Sequence, residues 1–165
     1  MGQRRGLKGC NHILIQAPIV ISSPGSRYLQ HQASMPVLSP EVRPELHAYF
    51  VGTLRGIDCP PLQAGSAEDH VHLFFGLSRT RSVAQVVETL KTSSSKWIKT
   101  KGASFADFHW QAGYGAFSVS QSDADSVVAY IRNQETHHQK VTFQEEYRRF
   151  LERYQIAYDE RYVWD

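Results

Sequence analysis

The chain has no run of about 18 apolar residues, so nothing in it reads as a membrane span. It has two cysteines, Cys10 and Cys59, and neither sits in a CxxC pair. A disulfide framework is thereby excluded, and free thiols in a cytoplasmic protein are the expectation. No internal repeat and no low-complexity tract appear. A strong excess of one charge is also missing: the net charge is +2. That total says little about partners, because a nucleic-acid binder needs a local basic face rather than a basic sum. The N-terminus carries Arg4, Arg5 and Lys8, but the apolar stretch after them is short. Gln16, Pro18 and the Ser22-Ser23-Pro24-Gly25 break interrupt it, which fits a strand and not a signal peptide.

What is present suffices for one domain. Apolar residues make up 41% of 165, enough for a core and too many for global disorder. Asn11 to Ile21 is rich in Ile, Leu and Val and predicts a first strand. Ser22 to Pro36 predicts a loop. Ser39-Pro40-Glu41 predicts a helix start, with Ser39 as cap and Pro40 in the first turn. Val42, Leu46, Tyr49, Phe50 and Leu54 then recur at helical spacing until Gly56 and the Cys59-Pro60-Pro61 stretch. A second strand is expected near Leu62 to Ser66 and a third, the clearest, at His70 to Leu77. Ser82 predicts the cap of a second helix whose apolar side holds Val83, Val86, Val87, Leu90, Trp97 and Ile98. A loop from Phe105 to Gly115 and a short strand from Ala116 to Ser120 follow. Ser122 or Asp123 opens a third helix through Val127, Val128 and Ile131, and Thr142 caps a fourth with Phe143, Tyr147, Phe150 and Leu151. The order is strand, helix, strand, strand, helix, strand. It predicts an α+β, ferredoxin-like split βαβ arrangement: an antiparallel sheet with helices on one face, plus appended C-terminal helices.

Within that frame a few residues could carry chemistry. His70 and His72 are two apart on a strand, so their imidazoles share a face, about 7 Å apart at the backbone. They read either as a shared metal site or as two partly buried histidines. Phe74 lies on the same face. Tyr130 and Gln134 are four apart on a predicted helix and project from one side of it. Tyrosine is a feasible covalent nucleophile, and an amide carbonyl suits a hard cation such as Mg²⁺ or Mn²⁺. The plainer reading is an ordinary helix face. His137 and His138 could flank the same place, or serve the helix end. Glu68 and Asp69 precede the histidines and could orient an imidazole. Lys91, Lys96, Lys99 and Lys101 cluster with Ser93, Ser94, Ser95 and Trp97. The group suits phosphate contacts and base stacking, or else a solvated helix end with Trp97 in the core.

These pieces in this order resemble the single-tyrosine HUH transposases of the bacterial insertion-sequence 200/605 family. Asp69-His70-Val71-His72-Leu73-Phe74 resembles their histidine–hydrophobic–histidine motif, and Tyr130 through His138 resembles their nucleophile helix. Trp110 to Ser120 and Tyr158 to Tyr162 resemble the segment before that helix and the C-terminal end. The resemblance covers Met35 to Asp165. It implies a single endonuclease domain over 1–165 that cuts and rejoins single-stranded DNA at the hairpin ends of a mobile element, through a 5′-phosphotyrosine. It implies Tyr130 as nucleophile and His70, His72 and Gln134 as ligands of one Mg²⁺ or Mn²⁺. It also implies a homodimer, with Ala116 to Ser120 at the junction. Arg27, Lys91, Lys96, Trp97 and His137 are the candidate DNA contacts. Residues 1–34 depart from the family pattern: Ile19 to Arg27 lacks the usual lysine, and Tyr28 to Ser34 looks inserted. The other readings are a repurposed or inactive transposase that binds DNA hairpins, a replication initiator or relaxase, and a metal-binding module. An adduct between protein and DNA separates the first reading from a binder.

Overall fold

The computed structural model describes residues 16–22, 38–68, 70–111 and 113–134, with 145, 148–149, 151–152, 155 and 157–158. Among the described residues, four strands and three α-helices have defined bounds. β1 is Gln16–Ser22, α1 Val42–Gly56, β2 Pro61–Ser66, β3 His70–Gly76, α2 Val83–Lys99, β4 Gly115–Ala116 and α3 Ala124–Arg132. The sheet order is β2-β3-β1-β4, the order expected of the split unit. Each neighbouring pair is antiparallel, including the central β1–β3 pair, in which Ile19 lies opposite Leu73 and Ser22 opposite His70.

Local signals account for most boundaries. Ser82 opens α2 with a reciprocal capping box: its hydroxyl accepts from the Gln85 N–H, and the Gln85 amide oxygen accepts from the Ser82 N–H. α1 begins two residues later than the cap at Ser39 predicts. Ser39 contributes its backbone carbonyl to the N–H groups of Val42 and Arg43, and no side-chain cap is made. Pro44, rather than Pro40, sits in the first turn, where a missing N–H costs nothing. α1 stops at Gly56, and Asp58 turns the chain with φ at 58°. The strand expected at Ala116 to Ser120 is shorter and starts earlier, pairing only Gly115 and Ala116 with β1. The expected fourth helix rests mainly on residues outside those described, as do the loop at 23–36 and most of the tail. Leu151, which is described, is helical and buried.

One face of the sheet carries the core. Leu46, Phe50 and Leu54 of α1 meet Val86, Val87, Leu90 and Ile98 of α2 over Val71, Leu73 and Phe75 of β3. These are the apolar stripes read from the sequence. β3 is nevertheless buried along its whole length. Its second face, with His70, His72 and Phe74, is therefore covered too, and α3 packs there against β2 and β3. Among the described residues no helix is long and apolar enough to cross a membrane.

Candidate active site

Alternation along β3 puts His70 and His72 on the face away from the core, as the spacing predicts. Both are buried, at 0% and 2% exposure, with ring centroids 4.9 Å apart and planes at 78°. Two imidazoles side by side in an apolar surround need polar company, since burying such a group alone is costly.

α3 brings that company. The Tyr130 ring stands edge-on to His72, with centroids 5.9 Å apart and planes at 89°. Gln134 is 1% exposed, although it carries a primary amide that would ordinarily face water. One sequence expectation is corrected here. Tyr130 and Gln134 do not share an uninterrupted helix, because α3 ends at Arg132 and Asn133 is its C-cap. The Asn133 N–H reaches back to the carbonyls of Ala129 and Tyr130, and its φ of −95° and ψ of 13° leave the helical region. Asparagine is at home in such a break.

Each of the four residues buries a polar side-chain atom. Nε2 of His70 and of His72, Oη of Tyr130 and Oε1 of Gln134 lie out of solvent without a hydrogen-bond partner at those atoms among the described residues. None of the four residues as a whole is without a partner. Two imidazole nitrogens and an amide oxygen form a donor set for a divalent cation with positions left over. Among the described residues no group of three His, Cys, Asp or Glu side chains could hold a metal. The third protein donor would then be the neutral amide. The residues present fit the cation on donor chemistry.

Close approach of α3 to the sheet depends on Gly65. This residue lies opposite His72 in the β2–β3 ladder. A Cβ built on it would stand 2.5 Å from the backbone oxygen of Ile131 and 2.7 Å from its Cγ2. Nothing in the hydrophobic pattern points to Gly65. The signal that could have found it is a glycine inside a strand, which marks the near passage of another backbone. Arg132 was also missed. It is exposed two residues after Tyr130, and its Nε donates to the Gln63 amide oxygen at 3.3 Å.

The candidate DNA contacts separate. Lys91 Nζ donates to the carbonyls of Gln111 and Gly113, each at 2.7 Å, and lies 5.7 Å from the Tyr114 ring centroid. Burial lowers its pKa below the usual lysine value. It ties α2 to the loop before β4. Trp97 is half-buried against the core and stacked on Tyr49 at 5.0 Å, with Lys101 4.5 Å from its ring centroid. Lys96 is exposed and lines a shallow groove with Tyr49, Thr89, Thr92, Ser93, Trp97 and Thr100. Arg27, His137, His138 and Asp69 lie outside the described residues. Glu68 is exposed, and its carbonyl accepts from the Leu38 N–H.

Comparison with known proteins gives one family and a shared fold. The family model described as transposase, IS200-like, matches residues 30–134, more than half of the chain and a span that holds all four site residues. Comparison with curated proteins finds no match. Among solved structures, a candidate transposase from Deinococcus radiodurans R1 is similar at 19% identity and a TM-score of 0.55, over 78% of this chain and 97% of that one. A REP-associated tyrosine transposase bound to a REP hairpin is similar at 14% identity and a TM-score of 0.56, over 96% of this chain and 93% of that one. At these identities the two structures speak for the fold.

Proposed function

The chain belongs to the IS200-like transposase family, and from that premise we propose that it cuts and rejoins single-stranded DNA through a covalent bond to Tyr130. The observation that carries the proposal is the meeting of His70, His72 and Tyr130 on the face of β3 opposite the core, with Gln134 buried just after the end of α3.

His70 and His72 would present Nε2, and Gln134 would present Oε1, to one Mg²⁺ or Mn²⁺. Bound there, the cation supplies positive charge to the scissile phosphate as negative charge builds on its oxygens. Tyr130 Oη attacks phosphorus in line. The Oη–P bond forms and the P–O3′ bond breaks. The proton lost from the phenol is matched by the one the departing 3′ oxygen takes up. The products are a 5′-phosphotyrosine and a free 3′-hydroxyl. The reverse attack by another 3′-hydroxyl reseals a strand and returns the phenol, so the bond energy is conserved and no nucleotide cofactor is consumed. Burial of the cluster keeps water from competing for the phosphotyrosine.

The substrate would be a single strand with hairpin ends, a choice supported by the similar tyrosine transposase bound to a REP hairpin. A homodimer working in the cytoplasm would bring two ends together. β4 at the sheet edge is the position from which a second copy would continue the sheet.

The test is a denaturing gel. Protein incubated with hairpin-bearing single-stranded DNA and Mg²⁺ or Mn²⁺ should give a covalent adduct. Tyr130→Phe should lose the adduct and keep binding, and His70→Ala or EDTA should stop cleavage. An adduct that survives Tyr130→Phe overturns the nucleophile assignment, and full cleavage in EDTA overturns the metal role. Hairpin binding without any adduct favours a binding protein derived from a transposase.

A further inference from the structure

We infer that Gly65 is a positioning residue for the nucleophile: the hydrogen it carries in place of a side chain sets how close α3, and with it Tyr130, comes to the paired histidines. The inference rests on the reading of Tyr130 as nucleophile.

Gly65 is the cross-strand partner of His72. Directly opposite residues on neighbouring strands point to the same face, so any side chain at 65 would rise beside the His72 ring. The space it would take is filled by the last turn of α3. The nearest atom is the Ile131 carbonyl oxygen, 2.5 Å from where a Cβ would be; the Ile131 Cγ2 follows at 2.7 Å and the carbonyl carbon at 3.3 Å. A flexible side chain could swing aside, but a helix backbone moves only as a body. Restoring an ordinary contact of 3.4 Å from 2.5 Å would require α3 to withdraw by about 0.9 Å. Ile131 directly follows Tyr130, so that displacement is passed to the phenol. The histidines do not move with it, because β3 is pinned between β1 and β2 and buried on both faces.

The glycine is not there for its backbone freedom. It lies within β2, in register with β3, and its use is space. Gly52 is the internal contrast: it lies on α1 and a Cβ there meets nothing within 4 Å. Alanine is therefore tolerated at 52 and intrusive at 65.

A misplacement of about 1 Å costs roughly 10²-fold in rate when reacting groups must be aligned. Gly65→Ala is accordingly expected to lower the single-turnover rate of adduct formation at saturating single-stranded DNA by roughly 10²-fold, with the half-saturating DNA concentration unchanged within about threefold. The ring-current shift that Tyr130 imposes on the His72 imidazole protons should shrink in the same variant, observed by proton NMR. Gly52→Ala should match the wild type in both. A Gly65→Ala protein with wild-type rate and wild-type His72 shifts overturns the inference. So does a rate loss that tracks only the unfolded fraction and vanishes on cooling. Should the single variant not fold, Gly65→Ala with Ile131→Ala removes the side-chain half of the collision and keeps the carbonyl. That double variant should still be slow and shifted, and a wild-type rate in it overturns the inference. The wild-type control separates the two proposals: no Tyr130-dependent adduct in the wild type sinks the proposed function, whereas an adduct there and an equal one in Gly65→Ala sinks only the role of Gly65.

Discussion

Ser94 offers a change that should cost stability and spare chemistry. Its hydroxyl is wholly buried in α2, donates to the Leu90 carbonyl at 2.6 Å and accepts from the Trp110 indole N–H at 2.9 Å. Trp110 is 7% exposed, packed edge-on to Phe108 and tilted against Phe50, so its N–H has little access to water. Ser94→Ala leaves that donor buried without an acceptor, which costs about 1–3 kcal/mol. The Leu90 carbonyl loses little, since it belongs to a helix interior. Alanine returns about 0.5 kcal/mol through its helix propensity. The net loss is then about 0.5–2.5 kcal/mol. For a chain of this length each kcal/mol lowers the melting temperature by about 2–4 °C, so a drop of about 1–10 °C is expected. Thermal unfolding followed by circular dichroism measures it, and the adduct assay at 25 °C should be unchanged. Trp110→Phe added to Ser94→Ala removes the stranded donor, so the two changes together should cost less than their sum. A melting temperature within 1 °C of wild type, or strict additivity, would show that this hydrogen bond does not hold the loop to α2.

Metal binding and DNA contact give two further expectations. If His70, His72 and Gln134 hold the cation, Mn²⁺ at 100 times its dissociation constant should stabilise the fold by about 2.7 kcal/mol, or roughly 5–11 °C in melting temperature. His72→Ala should abolish most of that shift, and an equal shift in His72→Ala would place the cation elsewhere. Lys91→Met should cost about 1 kcal/mol of stability, because the Gln111 and Gly113 carbonyls lose their donor and partly rehydrate, and leave DNA affinity unchanged. Lys96→Ala should keep stability and, if Lys96 touches a phosphate, lower the slope of log affinity against log salt by roughly 0.7. Fluorescence anisotropy across a salt series reads both, and equal weakening in the two variants would contradict the separation of their roles.

How much of this the sequence carried depends on the range of the forces involved. β3, α2 with its Ser82–Gln85 capping box, the end of α1 at Gly56 and the shared face of His70 and His72 follow from period, capping and strand geometry. All of these act over a few residues. The family resemblance was legible for the same reason, since its motifs are short and ordered. The start of α1 differs from the expectation because Ser39 meets the helix through its carbonyl, while its side chain bonds the Glu41 carboxylate and caps no helix N–H, a choice that side-chain statistics do not reveal. Composition reads Lys91 as a phosphate contact or part of a solvated helix end, and only the structure shows its ammonium on two loop carbonyls, 20 and 22 residues away.

The site divides along the same line. Residue spacing alone determined that two imidazoles stand together on one side of a strand, because a strand has no other way to place residues two apart. It did not determine what covers them. The spacing predicts one helical turn between Tyr130 and Gln134, but α3 ends at Arg132 and Asn133 interrupts it before Gln134, which is buried. Nor does the spacing show the approach of residues 65 and 131, where a bare glycine faces a helix carbonyl. Such a contact joins residues far apart in the chain through excluded volume, and only the folded molecule decides it.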